Sequence, residues 1–212
     1  MATIKSNSPL FGASGRLGSV ITYELNGVQV IRALPYTKKR KTTDLQQAHR
    51  ESFQIQHRIA KSLKLQIIQR IWDRFSYQGG MNGYNRFIQI NRSAYGPSGD
   101  IEFPELMVIS QGKLNPAKDF TVTYDGKNLQ FTWTPGNQNL HCSGTDQLNI
   151  ALLSYRSSLE VIETNISRET GQATIPFTVN KNEIPRGYVF WSSTNDKDFS
   201  PSIYWICRYQ AP

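Results

Sequence analysis

The spacing of apolar residues changes once along this 212-residue chain, and the change decides what the chain can fold into. Between 43 and 75 the small or apolar positions return every three or four residues: Ala48, Ser52, Ile55, Ile59 and Leu63 trace one face of a helix. A second stretch adds Ile68, Ile71, Trp72 and Phe75. From 106 onward the period is two, with strand candidates at 106–110, 120–124, 129–133, 148–154, 159–165, 173–179, 188–193 and 203–208. A helical pattern buries one stripe and a strand pattern buries one face, so the two cannot share an element. The fold class expected is therefore α+β. An N-terminal β-hairpin and a helical segment come first, followed by an immunoglobulin- or fibronectin-like antiparallel β-sandwich. The Cys…Trp…Cys spacing of antibody domains is missing. Gly96-Pro97-Ser98-Gly99-Asp100 reads as a linker, which divides the chain into a module at 1–95, a linker at 96–105 and a β-domain at 106–212.

Turn chemistry fixes several registers. Asn26-Gly27 suits a two-residue turn whose positions need positive φ, so Leu25 should pair with Val28, Tyr23 with Val30 and Ile21 with Arg32. One face then carries Ile21, Tyr23, Leu25, Val28 and Val30, and needs cover, since a lone hairpin is marginal in water. The following helix or another subunit would supply it. Asp125-Gly126-Lys127-Asn128 similarly sets Phe120, Val122 and Tyr124 opposite Trp133, Phe131 and Leu129 on one face. Thr43-Asp44-Leu45-Gln46 fits a capping box that starts the helix, and 62–65 bends or breaks it, giving one kinked helix or two. Gly79-Gly80 stops the helical run, and 82–91 makes a short helix presenting Tyr84, Phe87 and Ile88.

Charge is uneven. Residues 1–92 hold 15 of the 24 Lys and Arg and 4 of the 16 Asp and Glu, a net +11, whereas 93–212 hold 9 and 12, a net −3. Such asymmetry points the first half toward something acidic: nucleic acid, an anionic membrane surface or an acidic protein face. The residues that would make that contact are Arg32, Lys38, Lys39, Arg40, Lys41, Arg50 and Arg58, with Tyr36 or Tyr77 able to stack on bases. No apolar run reaches the roughly 18 residues of a membrane span, and the first residues lack a secretory signal pattern. The expected location is a virion or a host cytoplasm, without membrane insertion.

Catalytic and cofactor patterns are missing, so no cofactor, metal or enzymatic activity is expected. Gly12-Ala13-Ser14-Gly15-Arg16-Leu17-Gly18 looks like a phosphate loop, but it leads into the strand-like Ser19-Val20-Ile21-Thr22-Tyr23 rather than a helix. It reads instead as a turn allowing close backbone approach. His49 and His57 are eight residues apart, about 12 Å along a helix, too far to share a metal. Cys142 and Cys207 read as buried thiols.

The order of these pieces resembles an uncharacterised bacterial family, chiefly of Bacteroidetes, related to phage-encoded proteins. Gly15-Arg16-Leu17-Gly18, then Asn26-Gly27 through Leu34-Pro35, then Thr43, Gln47, Arg50 and Phe53 carry the resemblance, followed by Asn85 through Asn91. It covers most of the chain and is looser in the β-rich half. Where the family has Asn-Pro before the helix, this chain has Thr37-Lys38-Lys39-Arg40-Lys41. The resemblance implies no activity, and its phage relatives imply a non-enzymatic structural or adaptor protein of a virion or its assembly. Its partners would be other structural proteins or further copies of itself. The alternative is a sequence-independent nucleic-acid-binding protein using the basic half.

Overall fold

The computed structural model describes residues 2–4, 6–25, 27–34, 42–75, 81–136, 138–154, 158–178 and 184–207. It divides the chain between 43 and 44 rather than at 96–105, giving unit 1 (1–43) and unit 2 (44–212).

Unit 1 is one antiparallel sheet built from β1 (Ala2–Thr3), β2 (Gly15–Leu17), β3 (Val20–Leu25) and β4 (Val28–Ala33), in the order β1-β4-β3-β2. The β3–β4 register is the one the turn chemistry requires: Leu25 opposite Val28, Tyr23 opposite Val30, Ile21 opposite Arg32. The Gly-rich segment is not simply a turn, since Gly15–Leu17 forms a strand against β3. Its glycines do not serve close approach either. A side chain at Gly12 or Gly18 would meet nothing, and their φ values of +81° and +58° are what exclude other residues.

Unit 2 begins with α1 (Asp44–Ser62), directly after Thr43. The α-helix ends at Ser62, inside the 62–65 segment read as a bend or break, and gives way to a different helical turn. The Leu63 carbonyl accepts from the amides of both Ile67 and Ile68, and a π-helical turn, Lys64–Gln69, follows. This added residue in the turn brings Ile67, Ile68, Ile71 and Trp72 to the interior together, each at most 1% exposed. A 3₁₀ turn, Trp72–Phe75, completes the run, while Gly79-Gly80 lies outside the described residues. The next helix is α2 (Gly83–Ile90), capped by the Asn82 side chain, which accepts from the Asn85 amide at 2.8 Å. Phe87 and Ile88 are buried as the pattern requires.

The remaining strands are β5 (Lys118–Tyr124), β6 (Asn128–Thr134), β7 (Gln147–Leu153), β8 (Leu159–Ser167), β9 (Gln172–Pro176), β10 (Arg186–Ser192) and β11 (Ile203–Ile206). They form two antiparallel sheets, β11-β10-β7-β8 and β5-β6-β9. Val122 faces Phe131 and Tyr124 faces Leu129, as the Asp125 turn dictates. Phe120 does not pair with Trp133 as the turn alone would set it, because a bulge between Lys118 and Thr121 shifts the register there.

Three layers result. Ala151, Leu153, Tyr188 and Phe190 of the four-stranded sheet share a core with Ile59, Leu63, Ile68, Trp72 and Phe87 of the helical layer. Leu148, Ile150, Val189 and Trp191, the alternate residues of the same strands, share a second core with Leu129, Phe131 and Trp133 of β6. Each such large side chain withdrawn from water contributes about 1.5–3 kcal/mol. The helical stripe that the sequence assigns to the hairpin thus covers the sheet of unit 2.

The segment read as a linker is packed in place. Tyr95 and Ile101 are buried, and a side chain at Gly99 would collide with the Ser52 backbone. Nor is 106–110 a strand. Its first residue ends a 3₁₀ turn, Pro104–Leu106. Beyond it the Val108 amide donates to Asn91 Oδ1 (2.6 Å), the Ile109 amide to Ser202 Oγ (3.0 Å), and Trp72 Nε1 donates to the Ile109 carbonyl (2.9 Å). Side chains here supply the partners that a neighbouring strand would otherwise provide.

Candidate interaction surfaces

The sequence-selected basic residues fall in three places. Arg32 stands exposed on β4 with its guanidinium carbon 5.6 Å from the Tyr23 ring centre, a cation–π arrangement. Arg50 and Arg58 are exposed on α1. Lys38, Lys39, Arg40 and Lys41, with Tyr36 and Tyr77, lie outside the described residues. At 100° per residue, Arg50, Arg58 and Lys61 fall within about 80° of one another around α1 and span about 16 Å of its length. This solvent face runs opposite the buried stripe. The first two turns of α1 are exposed throughout, with Leu45 70% accessible.

Residues directly opposite in an antiparallel sheet share a face, which gathers a surface in unit 1 that the basic-residue pattern did not single out. Arg16, Ile21 and Arg32 lie in one cross-strand row. Tyr23 and Val30 form the next row, and Leu25 and Val28 the third. Within these rows Val30 is buried, Ile21 and Tyr23 are half-buried, Arg16 and Arg32 are exposed, and Leu25 and Val28 are 49% and 47% exposed. The other face buries polar groups instead. Thr22 and Gln29 are covered there, and Gln29 Nε2 donates to the Ala13 carbonyl at 2.6 Å. Arg16 was legible only through the strand pairing of Gly15–Leu17, which the Gly18-Ser19 turn could have signalled.

In unit 2, β5 and β11 are neighbouring edges of the two sheets and border a groove of about 540 Å³ in which Phe120, Val122, Ile203 and Trp205 mix with Thr121 and Thr123.

The titratable groups of the interior are knitted into packing. Arg168, 3% exposed, stacks over the Trp191 ring at 4.6 Å and donates to the Asn115 carbonyl (2.7 Å) and Cys142 Sγ (3.2 Å). Its Nε lies 3.3 Å from Asp146 Oδ2 without hydrogen-bond alignment, an ionic contact only. Burial raises the Asp146 carboxyl above its ordinary pKa, against the opposing pull of the Ser143 amide and Arg168. Arg70 bridges Asp196 and Glu163 and also reaches Asn149 of β7, tying helical layer to sheet. His49 is exposed, and His57 Nδ1 pairs with the Tyr84 hydroxyl at 2.7 Å. Because that hydroxyl donates to the His57 carbonyl, the ring nitrogen is the donor to it. Both cysteines are buried, and burial pushes the Cys207 thiol up, away from thiolate chemistry. Among the described residues no group of His, Cys, Asp and Glu is placed to hold a metal ion, and no helix is long and apolar enough to cross a membrane.

Compared with known proteins, the chain matches no family model and no curated sequence.

Proposed function

We propose that this is a non-enzymatic structural or adaptor protein acting through protein–protein contacts, a component of a phage or prophage virion or of its assembly. One observation carries the reading: unit 1 is a sheet whose apolar face stays half open, edged by Arg16 and Arg32. A chain exposes such a face when a partner covers it. The family resemblance of the Gly-rich start, hairpin and helix supplies the phage context. The strand order supports reading the two sheets of unit 2 as an immunoglobulin- or fibronectin-like β-sandwich. Counting from β5, the first, second and fifth strands make one sheet and the seventh, sixth, third and fourth make the other. That is the constant-immunoglobulin order with the fourth strand transferred between sheets. Quantitative mass spectrometry of purified particles tests the proposal. The protein should appear at fixed stoichiometric copy number, and its absence from particles contradicts the reading.

The exposed basic face of α1 favours a second reading, sequence-independent binding of nucleic acid through Arg50, Arg58 and the Lys38–Lys41 run. A labelled oligo-dT titrated at several salt concentrations measures it. Replacing Lys38, Lys39, Arg40 and Lys41 with Ala should lower the log–log salt slope by about 0.7 for each phosphate that is no longer neutralised. No binding at low salt eliminates this reading.

A further inference from the structure

We infer that unit 1 of one copy docks its open face onto the Glu102–Leu106 knuckle of a second copy, in a head-to-tail contact. The inference rests on the structural-protein reading and names its partner. Unit 1 has 43 residues, near the size below which a domain needs outside help to bury a core. Among its described residues none belongs to either buried apolar cluster of the protein. Its open face therefore calls for an occupant with apolar side chains.

Charge selects which. Unit 1 holds seven Lys and Arg against Glu24 alone. Of these, Arg16 and Arg32 bound the open face. Charge complementarity therefore favours an acidic occupant over a second copy of the same face. Residues 93–212 of this same chain carry the negative balance.

Within them, 101–107 present apolar groups between carboxylates. Ile101, Pro104 and Met107 point inward and are buried. Phe103 and Leu106 are 43% and 50% exposed, alternating with exposed Glu102 and Glu105. The knuckle is held from behind. The Tyr188 hydroxyl donates to the Pro104 carbonyl at 2.7 Å, and the amides of Glu102 and Phe103 both donate to the Ala94 carbonyl, at 3.0 and 3.1 Å. A surface already ordered loses little entropy on docking. Among the described residues no ion pair engages Arg16, Arg32, Glu102 or Glu105. Two guanidinium groups at the edge of an apolar sheet face thus match two carboxylates around an apolar knuckle. A contact between different faces of identical chains propagates, closing into a ring or continuing as a filament.

Sedimentation velocity on the full chain, from about 5 to about 200 µM, tests this by mass action. The mass should rise with concentration above the 24.1 kDa monomer, and less so at about 500 mM salt, where charges are screened. The double variants R16E/R32E and E102R/E105R should each weaken association at least about tenfold, since each sets like charges against one another. Their equimolar mixture should assemble again, because each reversed face then meets an opposite charge. Unchanged circular dichroism and urea midpoints show that the variants fold. A wild-type monomer at every concentration, variants that assemble as well as wild type, or a mixture that stays monomeric would each overturn the inference. A monomer that is still found in particles at stoichiometric copy number overturns the self-docking alone and leaves the structural role standing.

Discussion

The sheet of unit 1 and the four-stranded sheet of unit 2 are both antiparallel, yet they treat their faces in opposite ways. In unit 2, β7 and β10 are buried on both sides, with Tyr188 and Phe190 under the helical layer and Val189 and Trp191 against the second sheet. In unit 1, one face is closed over Thr22 and Gln29 by hydrogen bonds, and the other leaves Leu25 and Val28 in water. The difference separates two jobs. A sheet covered on both faces holds a fold together, whereas a sheet left open on one is available to a partner. Stability should therefore be concentrated in unit 2, and substitutions in the two regions should report different quantities.

The largest effect is expected where unit 2 buries charge. Arg168→Ala leaves Asp146 buried without its guanidinium and should cost about 3–5 kcal/mol in a urea titration. Leu63→Ala, where the π-turn begins, opens a cavity between helices and sheet and should cost about 2–5 kcal/mol by the same titration. Asn91→Ala removes a side chain whose Nδ2 donates to the Phe87 and Val108 carbonyls and whose Oδ1 accepts from Val108. Leaving those buried groups unpaired should cost about 1–3 kcal/mol. Arg70→Ala breaks pairs to Glu163 and Asp196, whose side chains are 56% and 46% exposed. Solvent screening limits that loss to about 1 kcal/mol or less. Leu25→Ser with Val28→Ser should cost no more than about 0.5 kcal/mol in the same titration, since both residues are already half in water. A large loss from this last pair would erase the contrast between the sheets.

How far the sequence reveals this arrangement depends on whether the deciding physics is local. The registers of β3–β4 and β5–β6 follow from turns at Gly27 and Gly126, whose φ values of +77° and +94° favour glycine. α2 is legible from the spacing of Tyr84, Phe87 and Ile88. What covers an apolar stripe is not local. The pattern of α1 shows that Ile59 and Leu63 need cover but not that Tyr188 and Phe190, more than 100 residues away, provide it. For the same reason 106–110 passes for a strand: Leu106-Met107-Val108-Ile109 is an apolar run of strand length, but Asn91 and Ser202 take the place of a neighbouring strand. Of the candidate site, Arg32, Arg50 and Arg58 could be picked out by charge. Arg16 acquires meaning only through its row with Ile21 and Arg32, and Glu102 and Glu105 through the exposure of Phe103 and Leu106.

Backbone hydrogen exchange read separately for the two sheets tests the division of labour most directly, since protection reports the free energy of local opening. Amides of β7 and β10 should exchange only through global unfolding. Those of β3 and β4 should exchange far faster in dilute protein and become protected once the chain is assembled with its partner. Equal protection of β3–β4 and β7–β10 in the dilute protein would contradict the account.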